Sequence, residues 1–472
     1  MTFASPAFLF IFLPLFLLLY FAVTPKLKNV TLLFGSLAFY SIDSGYAFWV
    51  LVLSIPVNHF IGHAIAGQSR SKKSAWLLTL GVVLNLLPLL IYKYWGFFTD
   101  VLNDIFALGL MPLHVSVIKF MLPAGISFFT FQGLSYLVDI YEGEIVPARS
   151  MVDFGMYHTS FPQLIAGPIV RYREIENEIA RRSPSLADVQ SGLMQFCFGL
   201  SKKIIIADNM GSIADRIWKL PDQQLDGQLA WLAALTYMLQ IFFDFAGYSD
   251  MAIGLAKVMG FHFPQNFDQP YRSQNITEFW RRWHMTLSRW FRDYVYIPLG
   301  GNRRGVRRTY INLLIVFVLC GLWHGAAYTF ILWGLYHGVC LMAERILKHR
   351  FGFELSGIAG WLLTFLLVLI GWVLFRADTL SNALFHYALM FGFKAGSEIF
   401  YGVAFYMTPD KICFMAAGLF LALAPSGFME KIGKQTGQLM QASKPVFALA
   451  CFFYAVALMA ANGFNPFIYS KF

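Results

Sequence analysis

Repeated apolar runs of bilayer length constrain this chain more than any other feature of its sequence. A spanning helix needs roughly 20 mostly apolar residues, because about 30 Å of hydrocarbon is crossed at about 1.5 Å per residue. Stretches 7–23, 76–92, 117–138, 310–335, 358–375, 411–425 and 446–461 meet that description, and 30–55, 154–170, 188–207 and 228–247 come close. Charge agrees with this reading. Only 13% of the 472 residues are charged and 58% are hydrophobic, about half the charged share of an ordinary globular chain. A soluble protein of this size could not cover its surface with so few charges, whereas a lipid-facing one needs few. The expectation is an all-α, polytopic integral membrane protein with about ten to twelve membrane-embedded helices. Some are expected to be short or re-entrant, because several runs carry Gly or Pro. Ten-residue alternation is absent, which argues against a barrel. No repeat or long polar linker divides the chain, so 1–472 reads as one membrane-embedded domain.

The first run follows Met1-Thr2-Phe3 with no basic flank and no small residues at a cleavage spacing. It is therefore expected to stay as a first helix and not to act as a signal peptide. The formal charge is +10. Basic residues gather in short polar connections, among them Lys26, Lys28, Arg70, Lys72, Lys73, Lys202, Lys203, Arg345, Lys348 and Arg350. That is the cytoplasmic-loop bias of membrane proteins. No basic and aromatic interleaving occurs on a soluble module, which argues against nucleic acid. Cys197, Cys320, Cys340, Cys413 and Cys451 lie in or beside apolar runs without a CxxC, and read as small buried hydrophobes.

The polar stretch 262–309 stands apart. From Arg281 to Arg308 there are eight arginines against the single acid Asp293, which places the segment on the cytoplasmic face. On a helical wheel, Phe279 to Arg292 puts Trp280, Trp283, Leu287, Trp290 and Phe291 on one side and its arginines on the other. The pattern predicts one amphipathic helix in the interface, with His284 at the edge of its apolar stripe. Pro298, Gly300 and Gly301 end that helix. Arg303, Arg304, Arg307 and Arg308 follow, and then an apolar helix enters the bilayer.

His324 lies sixteen residues beyond Arg308, about 24 Å along that helix. An ionisable group at such depth is costly and marks a functional site by default, though a core histidine bonded to a neighbouring helix fits as well. Gly321 and Gly325 share a face beside it, compatible with helix packing or with ligand access. On one continuous helix His337 turns away from His324 and towards Glu344, which favours a structural hydrogen bond. The two histidines share a face only if the chain breaks at Gly334. Asp244 and Asp250 either line a polar path or cap helix ends, the second being favoured. Pro162, Gly167 and Pro168 mark a broken helix. His59 and His63 share a helical face without a third ligand, so no metal site is expected. There is no Walker A motif for ATP-driven transport.

These residues also carry a family likeness. Pro123-Ala124-Gly125-Ile126-Ser127-Phe128-Phe129-Thr130-Phe131-Gln132, Phe161-Pro162-Gln163-Leu164-Ile165-Ala166-Gly167-Pro168-Ile169 and Phe243-Asp244-Phe245-Ala246-Gly247-Tyr248-Ser249-Asp250 belong to it. So do Phe279-Trp280-Arg281-Arg282-Trp283-His284, Gly321-Leu322-Trp323-His324-Gly325-Ala326, Trp372-Val373-Leu374-Phe375-Arg376-Ala377 and Asn465-Pro466-Phe467-Ile468-Tyr469. Nearly end to end, the chain resembles the membrane-bound O-acyltransferase family, in particular its bacterial alginate O-acetylation branch. The resemblance implies a ring of helices around a channel. It gives the family's buried histidine as His324 and its second motif histidine as His284. It implies acyl transfer from a cytoplasmic thioester, acetyl-CoA or another, with no tightly bound cofactor. The acetyl group would end on an exported polysaccharide, through extracytoplasmic partner proteins, from the bacterial inner membrane.

That chemistry suits the residues. Attack by a hydroxyl needs a base, and neutral imidazole serves. His324 is expected as the base, with His284 orienting a reactant or stabilising charge. No Ser or Cys stands in a nucleophile-elbow context, so no covalent enzyme intermediate is expected. Arg303, Arg304, Arg307 and Arg308 either set topology or contact the donor's phosphates. The competing readings are an acyltransferase for another envelope polymer (peptidoglycan, cellulose, or teichoic acid by D-alanylation) and a secondary transporter or flippase. Against the transporter, the chain has no two matched halves.

Overall fold

The computed structural model describes residues 2–68, 70–107, 115–116, 120–394, 396, 398, 400–424, 428–463 and 465–468. Met1, residues 117–119 and 425, and Tyr469 lie outside the described residues. All regular structure among the described residues is helical. Seven helices are long and apolar enough to cross a membrane: Ala47–Ala66, Lys72–Ile105, Gly227–Met259, Val306–His324, Tyr328–Phe351, Gly357–Arg376 and Ser443–Ala461. Phe8–Ala22 is apolar and shorter. Burial runs opposite to that of a soluble protein. On Ala47–Ala66, Trp49, Leu53 and Phe60 are exposed while Asn58 and His59 are buried, the arrangement expected when the solvent is hydrocarbon.

Several apolar runs form shorter helices than their length suggests. The 117–138 run becomes Ile126–Glu142, because Gly125 turns the chain with φ 74°. The 154–170 run breaks into Met151–Thr159 and Phe161–Leu164, followed by Gly167 at φ 104°. That is the break its prolines predict.

The chain divides into two compact units, Met1–Gln190 with Leu255–Pro264, and Ser191–Gly254 with Gln265–Phe472. The first unit is built on Ile126–Glu142, which is buried along nearly its whole length. Asn58 and Asn85, from the helices Ala47–Ala66 and Lys72–Leu89, exchange side-chain amide bonds of 3.0 and 2.8 Å. Reciprocal bonding of this kind is how polar groups persist between helices in lipid.

The second unit holds the residues that bear on function. Its most buried long helix is Gly227–Met259. Gly199 and Gly247 meet there so closely that a Cβ on either would lie 2.6 Å from the other's carbonyl oxygen. The 310–335 run is not one helix. Val306–His324 ends at Gly325, which is extended (φ −162°, ψ 150°), and Tyr328–Phe351 starts a new helix that runs unbroken through Gly334. The break therefore falls at 325–327 and not at Gly334.

The two helices of this hairpin touch backbone to backbone. A Cβ on Gly321 would lie 2.2 Å from the Phe330 carbonyl oxygen, and one on Gly334 would lie 2.1 Å from that of Phe317. Gly334→Val is therefore expected to force the pair apart, at about 1–3 kcal/mol or more for an overpacked contact. The expected result is a clear loss of monodisperse protein in detergent at unchanged synthesis.

Asp244 and Asp250 do not cap helix ends. Both lie inside Gly227–Met259, where Lys203 and Lys202 neutralise them at 2.7 and 2.6 Å. The lysine pair correspondingly sits within a helical run and not in a loop. Lys203 is 1% exposed, so it does not act as a surface topology signal.

Candidate active site

The segment Phe279 to Arg292 is not a single amphipathic helix. Ile276–Arg282 and Met285–Phe291 are separate helices, with Trp283 extended and His284 in the left-handed region at φ 42°. A non-glycine residue there carries strain on the order of 1–3 kcal/mol, held only where its surroundings over-determine it. Asn266 supplies that constraint. Its carbonyl oxygen accepts from the Met285 N–H at 2.9 Å. Its side-chain Oδ1 lies 3.0 Å from His284 Nδ1 and accepts from the Thr286 hydroxyl at 2.8 Å. Its Nδ2 donates to the Ser249 hydroxyl at 3.0 Å. With Oδ1 as acceptor, the His284 proton is assigned to Nδ1, and Nε2 has no hydrogen-bond partner among the described residues. Burial pushes this imidazole down to about 3, so it is neutral at physiological pH.

His284 points into the protein and not to water, as its place at the edge of the apolar stripe predicts. It is fully buried, with Phe245 edge-on at 4.7 Å and Trp323 at 5.9 Å. Trp280, Trp283 and Trp290 are likewise buried in the protein. The reason is the break itself, which turns the tryptophans inward to pack on Trp333 and Trp372.

His324 is the last residue of its helix and is 2% exposed. Its ring meets Trp323 at 4.9 Å, Trp333 at 5.1 Å and Phe375 at 5.2 Å, all near edge-on. Trp323 thus touches both histidines, so the structure brings His284 and His324 to one aromatic cluster. The glycines beside His324 leave no ligand space. A Cβ on Gly325 would lie 2.1 Å from the Phe330 ring, and Gly321 faces the same residue's backbone. Their role is packing.

The hydrogen bond expected at His337 is not found among the described residues. Neither of its ring nitrogens has a hydrogen-bond partner among the described residues. It stacks on Phe279 with an interplanar angle of 9° and meets Trp333 at 5.1 Å. Glu344 is occupied elsewhere, accepting from the Ile276 N–H and from the Thr277 hydroxyl. His59 and His63 lie with rings 4.5 Å apart, and His63 bonds the Ala148 carbonyl at 3.1 Å.

Beyond Phe375 and Phe330 lies a cavity of about 530 Å³, lined also by Asp215, Tyr237, Gln240 and Arg376. Arg376 donates to Asp215 at 2.8 Å. The Tyr237 hydroxyl and Gln240 Oε1 are buried without a hydrogen-bond partner among the described residues. The cavity therefore offers polar groups one aromatic ring away from His324. Arg303, Arg304, Arg307 and Arg308 are exposed, and none pairs with a carboxylate among the described residues. The structure does not bring them to the histidines. Arg307 and Arg308 stand at the opposite end of the Val306–His324 helix, about 24–26 Å from its last residue, and Arg303 and Arg304 precede that helix.

Sequence reasoning missed Asn266, Trp333 and this cavity. Asn266 carried a faint signal as an amide in the polar stretch leading to His284. The cavity carried none, because its walls come from distant parts of the chain.

The structure thus places a buried histidine at a helix end, an aromatic cluster around it and a polar cavity beyond. The chain belongs to the membrane-bound O-acyltransferase family, whose model matches residues 145–380 and so spans both His284 and His324. It is accordingly an O-acyltransferase. It is 44% identical over 400 residues to the probable alginate O-acetylase AlgI of Azotobacter vinelandii, covering 83% of this chain and 78% of that protein. The probable alginate O-acetylase AlgI of Pseudomonas aeruginosa is also 44% identical, over 83% of this chain and 75% of its own length. The peptidoglycan O-acetyltransferase of Helicobacter pylori is 37% identical, over 81% of this chain and 78% of its own length.

Proposed function

We propose that the protein transfers acetyl groups from a cytoplasmic acyl thioester to a hydroxyl at the opposite membrane face, for O-acetylation of an exported polysaccharide of the alginate type. It works in the bacterial inner membrane, with extracytoplasmic partner proteins completing delivery to the polymer. The observation that carries this reading is the polarity of the Val306–His324 helix. Four exposed arginines stand at or before its first turn, and His324, its last residue, lies one aromatic ring from the polar cavity. The cavity residue Thr329 lies at the start of Tyr328–Phe351, whose far end carries Lys348 and Arg350.

In the proposed reaction the acceptor oxygen attacks the thioester carbonyl carbon. Its proton passes to the His324 imidazole, the carbon–sulfur bond breaks, and the thiolate leaves and is protonated. His324 first accepts and then returns one proton, so the enzyme ends unchanged. His284, neutral and fixed by Asn266, holds its Nε2 ready to accept a hydrogen bond and orients a reactant. Alginate is favoured over peptidoglycan by the higher identity of its relatives. The acetate content of both polymers, compared in cells with and without the protein, tests the assignment. Loss of acetate from peptidoglycan alone would shift the acceptor to that polymer.

The arginines have a role to be measured. Arg307 and Arg308 lie in the first turn of the helix, where the helix dipole disfavours each cation by about 0.3–1 kcal/mol. Helix stability thus does not explain them. Contact with the phosphates of a thioester donor does. Reversing Arg303 and Arg304 to Glu is expected to raise the donor KM about 10-fold or more, since each lost charge-assisted bond contributes about 1.5–3 kcal/mol. An unchanged KM at unchanged protein level would leave membrane topology as their role.

A further inference from the structure

The helices Tyr328–Phe351 and Gly357–Arg376 enclose a second cavity between them, of about 300 Å³. Its walls are mostly apolar, with Val339, Ala343 and Leu347 on the first helix, Leu363 and Leu367 on the second, and Phe353 on their connection. Val339, Ala343, Leu347 and Leu363 are exposed, so the cavity is a groove that opens sideways along the helix pair. In a pair of spanning helices that opening faces lipid. Lys348 and Glu354 stand at one end of the groove as an ion pair of 2.8 Å, both half-exposed. From Lys348 to Val339 the groove follows nine residues of helix, about 14 Å. That is the depth of one leaflet, half of the roughly 30 Å hydrocarbon core. A groove that begins at a charged mouth and runs one leaflet deep matches a phospholipid acyl chain whose headgroup sits at the membrane surface.

The mouth selects the headgroup, because it offers one cation and one anion. Glu344 lies one turn deeper than Lys348 and adds a second carboxylate to the wall, accepting from the Ile276 N–H at 2.8 Å and the Thr277 hydroxyl at 2.6 Å. A headgroup with only negative charge would meet Lys348 but be repelled by Glu354 and Glu344. A headgroup with a phosphate and a primary ammonium suits both members of the pair. Lys348 donates to the phosphate, and the ammonium donates to Glu354. An exposed ion pair is weak, so little is lost when its members change partners. The wall also includes Ile276, the first residue of the helix Ile276–Arg282 that leads to His284. An acyl chain in the groove therefore packs beside the segment that holds this histidine.

We infer that the groove is a binding site for one phosphatidylethanolamine-type phospholipid of the leaflet on the Lys348 side, with an acyl chain between the two helices and the headgroup shared by Lys348 and Glu354. The inference does not depend on the acyl-transfer reading.

The test exposes the full chain, purified in mild detergent, to vesicles of equal parts phosphatidylethanolamine, phosphatidylglycerol and phosphatidylcholine, and reads retained lipid by native mass spectrometry. One phospholipid per chain is expected, with phosphatidylethanolamine favoured over both others. Phosphatidylcholine has no N–H to donate to Glu354, and phosphatidylglycerol has no cation. Glu354→Lys is expected to lower phosphatidylethanolamine retention about 3–10-fold, the size of one lost hydrogen bond, and to turn the preference to phosphatidylglycerol. Ala343→Trp, which fills the groove from an exposed position, should abolish retention. Glu354 is half-exposed, so its variant keeps the fold and decides the test if Ala343→Trp is not recovered. Four results would overturn the site: no phospholipid retained by the unaltered chain, no preference for phosphatidylethanolamine, wild-type retention in Ala343→Trp, or an unchanged preference in Glu354→Lys.

Discussion

Replacing His324 with glutamine is expected to lower acetyl transfer about 10²–10⁴-fold, roughly 3–5 kcal/mol of barrier, in membranes that still hold the folded chain. This is the largest functional effect expected of any single substitution here. Glutamine keeps a polar side chain of similar reach and removes only the imidazole that accepts a proton. His324 ends its helix against Trp323, Trp333 and Phe375, so the pocket walls survive the change. His337→Ala serves as the contrast. Its ring is stacked on Phe279 and has no hydrogen-bond partner among the described residues, so its removal should affect packing more than turnover. His284→Ala should fall between the two, because His284 adjoins the same Trp323 but is tied to Asn266. Turnover at matched protein level, with monodispersity in detergent as the folding check, separates these outcomes. Near-normal turnover in the glutamine variant would remove the base from His324 and move the search to His284.

The largest structural effect is expected at Lys203. Lys203→Met leaves Asp208 and Asp244 facing each other without their cation. Two adjacent buried negative charges then repel each other. Removing one partner of a buried ion pair typically costs about 3–5 kcal/mol, enough to unfold a marginally stable protein. The expected result is a strong loss of folded protein. Partial recovery should follow in Lys203→Met with Asp244→Asn, which removes the excess charge while keeping an acceptor for the Ile468 N–H. Wild-type thermal stability in Lys203→Met alone would mean that the cluster contributes nothing to the fold.

His324 was legible because depth alone makes an ionisable side chain conspicuous in an apolar run. The arginine cluster was legible because charge bias needs no tertiary information. The turn at 325–327 was not, since Gly325-Ala326-Ala327 is as apolar as the helices it separates. It is set by the Phe330 ring packing over Gly325, a contact that only the folded hairpin makes. The break at His284 was hidden for a similar reason. The helical wheel of 279–292 is internally consistent, and Asn266, which overrides it, lies outside the window the wheel examines. Asp244 looked like a cap because it follows an apolar run, but the helix continues to Met259 and the cation that permits this comes from Lys203. Periodicity therefore located the membrane segments, while the elements that aim the histidines depend on partners distant in sequence.

The central claim is that this chain cleaves a thioester and moves the acyl group to a hydroxyl. The measurement that tests it most directly uses sealed inverted vesicles supplied with doubly labelled acetyl-CoA, in which thiol release and acetyl ester formation are followed together. The account predicts that free thiol and ester rise in equal amounts, that both require the acceptor and its partner proteins, and that both vanish in the His324→Gln variant. Movement of a substrate across the vesicle membrane with the thioester left intact would contradict it and identify a transporter instead.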